Sequence, residues 1–121
     1  MKGADKMNEK IKNVSELLLK YKDELEKIEK LAKMIEEQQI QVLKERNLYC
    51  EANLSNKKVK IVSGRKYTKI DVGNSGFIMI ENSSQNIFGI KAYGVVHKGH
   101  SYGNLDTINN YFWGNYHPIK K

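Results

Sequence analysis

The sequence predicts an α+β protein: a long N-terminal coiled-coil helix, then a small, curled antiparallel β-sheet of four to five strands and a short C-terminal helical turn. Two observations carry this. Between Ala4 and Val42 apolar residues recur with a heptad period, at a sites Ala4, Ile11, Leu18, Leu25, Ala32 and Gln39 and d sites Met7, Val14, Tyr21, Ile28, Ile35 and Val42. Eleven of these twelve are apolar or aromatic, with Glu and Lys filling the positions between, as a helical seam requires. From Val59 onward the pattern changes to short alternating runs broken by Gly, Asn and Ser, as antiparallel strands and tight turns require. The expected division is residues 1–47 as an oligomerisation helix and residues 48–121 as a basic β-domain.

The helix is expected from about Asp5 to about Arg46. Asp5 suits the N-terminal cap, no Gly or Pro follows before Arg46, and Glu16–Lys20, Asp23–Lys27 and Glu26–Lys30 are acid-first pairs four residues apart. At 1.5 Å per residue such a helix is about 60 Å long, whereas a compact domain of some 70 residues is only about 30 Å across. A straight helix of that length projects beyond its own domain, and an isolated seam needs a second helix. Met7, Ile11, Val14, Leu18, Tyr21, Leu25, Ile28, Ala32, Ile35 and Val42 are therefore the expected interface of a homo-oligomer, a parallel dimer before a trimer. Leu17, Leu19, Leu31, Met34, Ile40 and Leu43 fall off the seam, mostly toward the C-terminal end. They widen the apolar face for packing against the β-domain or within a bundle. Gln39, the polar a site, either sets register or marks the end of the coil.

Residues Leu48 to Lys57 form a junction. Strands are expected around Val59–Val62, Thr68–Val72, Phe77–Ile80 and, as one long strand or two, Ile87–Val96. Their short connections imply antiparallel neighbours and a meander, curled enough for a small open barrel. Asn104 to Tyr111 suits a helical turn, and the aromatic tail Tyr111-Phe112-Trp113-Gly114-Asn115-Tyr116-His117-Pro118 is expected to close back over the sheet.

Charge separates the two halves. Residues 1–48 hold eleven Lys/Arg against ten Asp/Glu; residues 49–121 hold ten against four. The net charge of +7 thus lies almost wholly on the β part, which points to an anionic partner there. Lys57, Lys58, Lys60, Arg65, Lys66 and Lys69 fall within thirteen residues with no acid among them, and Lys91 and Lys98 extend the patch. A basic β-ribbon with Tyr67 and Tyr93 nearby suits phosphates and unpaired bases. A solvated hairpin whose lysines discourage edge-to-edge pairing is the competing explanation. His97-Lys98-Gly99-His100, with His117 and Asp106 further on, is the most enzyme-like fragment. It lacks a second ligand pair of recognised spacing, so neither a metal nor a catalytic residue is expected, and no cofactor is implied. The single cysteine, Cys50, has no evident activating base. With no apolar run of membrane-spanning length and no signal peptide, a cytoplasmic protein without a membrane partner is expected.

The stretch Gly89-Ile90-Lys91-Ala92-Tyr93-Gly94-Val95-Val96-His97-Lys98-Gly99-His100, followed by Tyr102-Gly103-Asn104-Leu105-Asp106-Thr107-Ile108, resembles small domains carried by phages and other mobile elements. The resemblance implies a setting, that of accessory proteins acting on host defence such as anti-CRISPR proteins, and transfers no functional residue. The sequence is therefore read as a non-enzymatic oligomeric protein that binds nucleic acid or a nucleoprotein complex. The competing functions are a structural or adaptor coiled-coil protein and a small histidine-dependent hydrolase or nuclease.

Overall fold

The computed structural model describes the backbone of residues 2–121 and the side chains of residues 18–121. Helix α1 runs Lys2–Glu45, about 66 Å at 1.5 Å per residue. It ends where Asn47 turns into the left-handed region (φ 57°), with Leu48 N–H donating to the Leu43 carbonyl at 2.8 Å and Asn47 N–H to Lys44. This is the Schellman closure that Asn supports in place of Gly. A five-residue helix α2, Glu51–Ser55, lies in the junction and is too short to show a helical period. Strands β1 (Val59–Val62), β2 (Tyr67–Val72), β3 (Ser75–Glu81), β4 (Asn86–Ala92) and β5 (Val95–Asn104) form one antiparallel sheet in sequential order. A 3₁₀ turn at Ile108–Asn110 and a two-strand ribbon, β6 (Tyr111–Phe112) with β7 (Ile119–Lys120), complete the chain. Among the described residues no helix is long and apolar enough to cross a membrane.

The long apolar run expected between Ile87 and Val96 is two strands, divided at Tyr93-Gly94, where Gly94 takes φ +78°. Gly73 (φ +62°) opens the two-residue β2–β3 turn. Its α-carbon faces the Asn56 carbonyl too closely to admit a side chain.

The register builds the core. Ile61, Ile70 and Ile78 stand opposite one another across β1, β2 and β3, and Thr68, Ile80 and Ile87 form the next row across β2, β3 and β4. Onto these rows packs the C-terminal half of α1. Ile28, Leu31, Ala32 and Ile35 are buried in one cluster with Ile70, Ile78, Ile80 and Ile87, joined by Leu105, Ile108 and Trp113. The spacing 28, 31, 32, 35 is one helix face, and Gln39 and Leu43 continue it.

One expectation is corrected here. The sheet is neither closed nor strongly curled: β1 and β5 are both edges. Its apolar face is covered by a helix, so closing on itself would bury nothing further. Of the expected seam residues, Ile28, Ala32 and Ile35 are buried in one cluster with the chain's own sheet. A face repeating every 3.5 residues looks alike over a few turns whether it meets another helix or a sheet. The core also runs across the expected boundary at residue 47, so the β part shares its interior with the helix. Leu25 and Val42 are half-buried, Leu18 and Tyr21 stand exposed, and Met7, Ile11 and Val14 lie outside the described side chains.

Gln39 has a different task from coil register. Its Nε2 donates to the Trp113 carbonyl at 2.7 Å and the Asn115 carbonyl at 3.1 Å, while Gln38 Oε1 accepts the Trp113 N–H at 2.6 Å. Two adjacent helix residues thereby grip the tail backbone. Gly114 makes this approach possible, since a Cβ there would come within 2.8 Å of the Gln38 carbonyl oxygen. The Trp113 ring is fully buried between Tyr102 and Tyr111, and its indole N–H donates to the Ile108 carbonyl at 3.0 Å.

Candidate anion-binding site

The cations that lie close together in sequence are spread along the hairpin. Lys57 and Lys58 enter β1 and Arg65 and Lys66 leave it, so the four residues of β1, about 14 Å, separate the two pairs. Lys60 is exposed on this edge strand, opposite Asp71. The Lys69 ammonium lies 4.9 Å from the centre of the Tyr93 ring, whose hydroxyl donates to Asp71 Oδ2 at 3.0 Å. That hydrogen bond, with the Asp71 charge behind it, raises the Tyr93 phenol above its usual pKa. Asp71 is buried, and its Oδ1 has no hydrogen-bond partner. Lys98 pairs with Glu81 at 3.7 Å. Glu81 is held below the usual carboxylate range, first by the Ser84 hydroxyl and then by the charges of Lys98 and Lys66. Two of the four acids of the β part thus sit among Lys60, Lys66, Lys69 and Lys98.

Lys57 and Lys91 fall elsewhere. They line a cavity of about 390 Å³ at the end of the sheet, bounded by β3, β4, β5, the end of α1 and the tail. The chain's three histidines, His97, His100 and His117, line it too, with Tyr102, Phe77 and Tyr116, and among the described residues no Asp or Glu does. Asp71 lies behind the lining residue Gly76, its Oδ1 3.8 Å from where a Cβ there would stand.

A break in the β4–β5 ladder brings two of the histidines together. Gly89 stands opposite His97 and Phe88 opposite Ser101, so Lys98, Gly99 and His100 are extra residues on β5. Such bulges re-aim side chains. Here the His97 and His100 rings come to 4.2 Å between centres, tilted by 43°. Gly89 leaves room for them: a Cβ there would sit 3.1 Å from His100 Cβ and 3.4 Å from the Tyr102 hydroxyl. His117 arrives from the tail that Gln38 and Gln39 hold in place, its ring packed edge-on against Tyr116 at 4.6 Å.

Burial, His100 and Lys91, in that order, push His97 below its ordinary pKa of 6.5. The free cavity therefore resists further positive charge at His97 and would gain from an anion. The same shift makes His97 a stabilising element that is fully present above about pH 6.5 and declines as pH falls below it, because the unfolded imidazole protonates first. Among the described residues, no group of three or more His, Cys, Asp and Glu is placed to hold a metal ion. What the arrangement can do is bind an anion by charge and hydrogen bonds and stack a planar group on aromatic rings.

Sequence order concealed this site. Its lysines come from the junction and β4 and its histidines from β5 and the tail, and only His97 and His100 are near neighbours. The one legible signal was that pair, separated by a glycine-containing turn. A second cavity of about 680 Å³ lies on the other side of residues 115–117, with an apolar wall of Val42, Leu43, Leu48 and Ile119. No protein-family model matches this chain, and no curated protein or solved structure is significantly similar to it.

Proposed function

We propose that this protein binds nucleic acid through the cation-rich end of its β-sheet and presents that surface in oligomers formed through the N-terminal half of α1. The observation that carries the first part is the cavity lined by Lys57, Lys91 and three histidines and, among the described residues, by no carboxylate. Lys58 and Arg65 are exposed on the same hairpin, and among the described residues neither makes an ion pair. Both remain available to phosphates. In the setting implied by the resemblance to phage and mobile-element domains, the target is nucleic acid within a host defence complex and the protein acts as its inhibitor.

A labelled single-stranded oligonucleotide, titrated at several salt concentrations, tests this. Four phosphate contacts predict a log–log salt slope of about −2.8, which is about a 50-fold loss of affinity between about 50 and about 200 mM salt. Glu at Lys58, Lys60, Arg65 and Lys66 together should abolish the binding and leave the thermal transition nearly in place, since these side chains are at the surface. Salt-independent binding, or full binding by the quadruple variant, would remove the hairpin from the account.

Self-association is supported by Leu18, Leu19 and Tyr21, which are 63%, 67% and 56% exposed on a helix whose other half is already covered. Large apolar side chains grouped in this way mark an interaction face. Joining two or more sheets would also raise avidity for an extended polyanion. The full-length protein is expected to scatter light as a dimer or larger at micromolar concentration, and Leu18→Asp with Tyr21→Asp to reduce it to a folded monomer. A monomeric wild type would contradict this.

A further inference from the structure

We infer that the cavity between β4, β5 and the C-terminal tail is a phosphate-monoester site, and that it takes the terminal phosphate of a nucleic-acid strand. This rests on the nucleic-acid function proposed above and names the part of the ligand that the cavity selects. Three features of the site lead to it.

The first is charge. Lys57, Lys91, His97, His100 and His117 line the cavity, and among the described residues no Asp or Glu does. An internal phosphodiester carries one negative charge and does not titrate near neutrality. A terminal monoester, with a second pKa near about 6, carries about −1.5 to −2 at pH 7 and offers three acceptor oxygens. Lysines alone would serve either. Imidazoles, which ionise in the same pH range as the monoester, favour the dianion.

The second is shape. At about 390 Å³ the cavity falls in the range of sites for one small ligand. Helix α1 lines it at Gln39, and the tail held by Gln38 and Gln39 lines it at Asn115–His117. A cavity of this size holds one terminal nucleotide rather than a length of strand. Phe77, Tyr102 and the exposed ring of Tyr116 supply faces for the terminal base.

The third is proton linkage. The other titratable side chains lining the cavity are His100 and Tyr102 on the same strand as His97, Lys91 on β4, Lys57 from the junction, and Tyr116 and His117 from the tail; Asp71 Oδ1 lies behind the lining residue Gly76, 3.8 Å from where a Cβ there would stand. Burial, His100 and Lys91 push His97 below its ordinary pKa of 6.5, so the free cavity disfavours its protonation. A bound dianion reverses that balance at His97, so binding tightens as pH falls from 8 toward 7; near about pH 6 the monoester itself protonates and offsets the gain.

The test uses the full-length protein with one single-stranded oligonucleotide in 5′-phosphorylated, 3′-phosphorylated and unphosphorylated forms, and with adenosine 5′-monophosphate, at pH 7 and pH 8. At pH 7 at least one phosphorylated strand is expected to bind about ten-fold tighter than the unphosphorylated strand, the scale of one or two added charge-assisted hydrogen bonds. It should also bind more tightly than the mononucleotide, and the preference should shrink at pH 8. His97→Gln and His100→Gln are each expected to reduce affinity for the phosphorylated strand to that for the unphosphorylated one. Equal, salt-dependent binding of all three strands would overturn this inference while leaving nucleic-acid binding intact. A mononucleotide that binds as tightly as the phosphorylated strand would reassign the cavity to free nucleotides. Failure of every strand to bind would overturn both the inference and the function beneath it.

Discussion

Replacing Ile35 by Asp is expected to unfold the whole protein. Ile35 is completely buried and belongs to the cluster that joins α1 to the isoleucine rows of β2, β3 and β4. A carboxylate there has no partner. Burying an unpaired charge or leaving the site open to water costs several kcal/mol, against a total stability on the order of 5–15 kcal/mol for a small domain. Circular dichroism should report loss of strand and helix together. The control is Leu18→Asp on the same helix at an exposed position, which should keep the strands and helix folded. If Ile35→Asp dissolved an oligomer but left the β-strands folded, the helix would be serving as an intermolecular seam at that position.

Trp113→Ala is the second large effect, expected to cost about 3–5 kcal/mol, typical for truncating a buried aromatic residue. For a chain of this size that is a fall in melting temperature of about 10–20 °C. The indole fills the space between Tyr102, Tyr111 and the α1 face, and its loss leaves the Ile108 carbonyl without its donor. Because the Trp113 backbone is the point gripped by Gln38 and Gln39, the variant should also loosen the tail and with it the His117 wall of the cavity. Thermal melts with oligonucleotide binding measured on the folded fraction separate the two consequences. An unchanged melting temperature would mean that the tail contributes little to the core.

The elements were legible in the sequence because each has its own local physics. The uninterrupted helical period gave α1, and alternation between Gly- and Asn-rich turns gave β1 to β4 but only the first two residues of β5, which runs on through His97 and His100 to Asn104. Partners were less legible. The seam residues Ile28, Ala32 and Ile35 satisfy a coiled coil and a helix-on-sheet face equally over two turns, and Leu31 and Leu43, off the seam, carried the decisive hint of a broader contact. Gln39 could be seen as an oddity in an apolar row, but its targets, the Trp113 and Asn115 carbonyls, lie more than seventy residues away. The expected curl of the sheet followed from treating residues 48–121 as a unit that must cover its own apolar face, a task that α1 performs.

The candidate site was legible in composition but not in position. Net positive charge on the C-terminal part pointed to an anion, yet proximity in sequence placed its centre at the hairpin. Folding disperses that cluster along a strand, sets Asp71 and Glu81 among its members, and carries Lys57 and Lys91 to the histidines. The register slip that turns His97 and His100 toward each other depends on β4 pairing, which no local pattern encodes.

The most direct test of anion binding at the sheet end is an NMR titration of the full-length protein with a short single-stranded oligonucleotide, following the imidazole resonances of His97, His100 and His117 and the backbone amides of β1, β4 and β5. Shifts concentrated on the three imidazoles and on the amides around Lys57 and Lys91, saturating with the binding curve and fading at high salt, are the predicted result. Shifts confined to α1, or an unaltered spectrum at concentrations where binding should be complete, would contradict it.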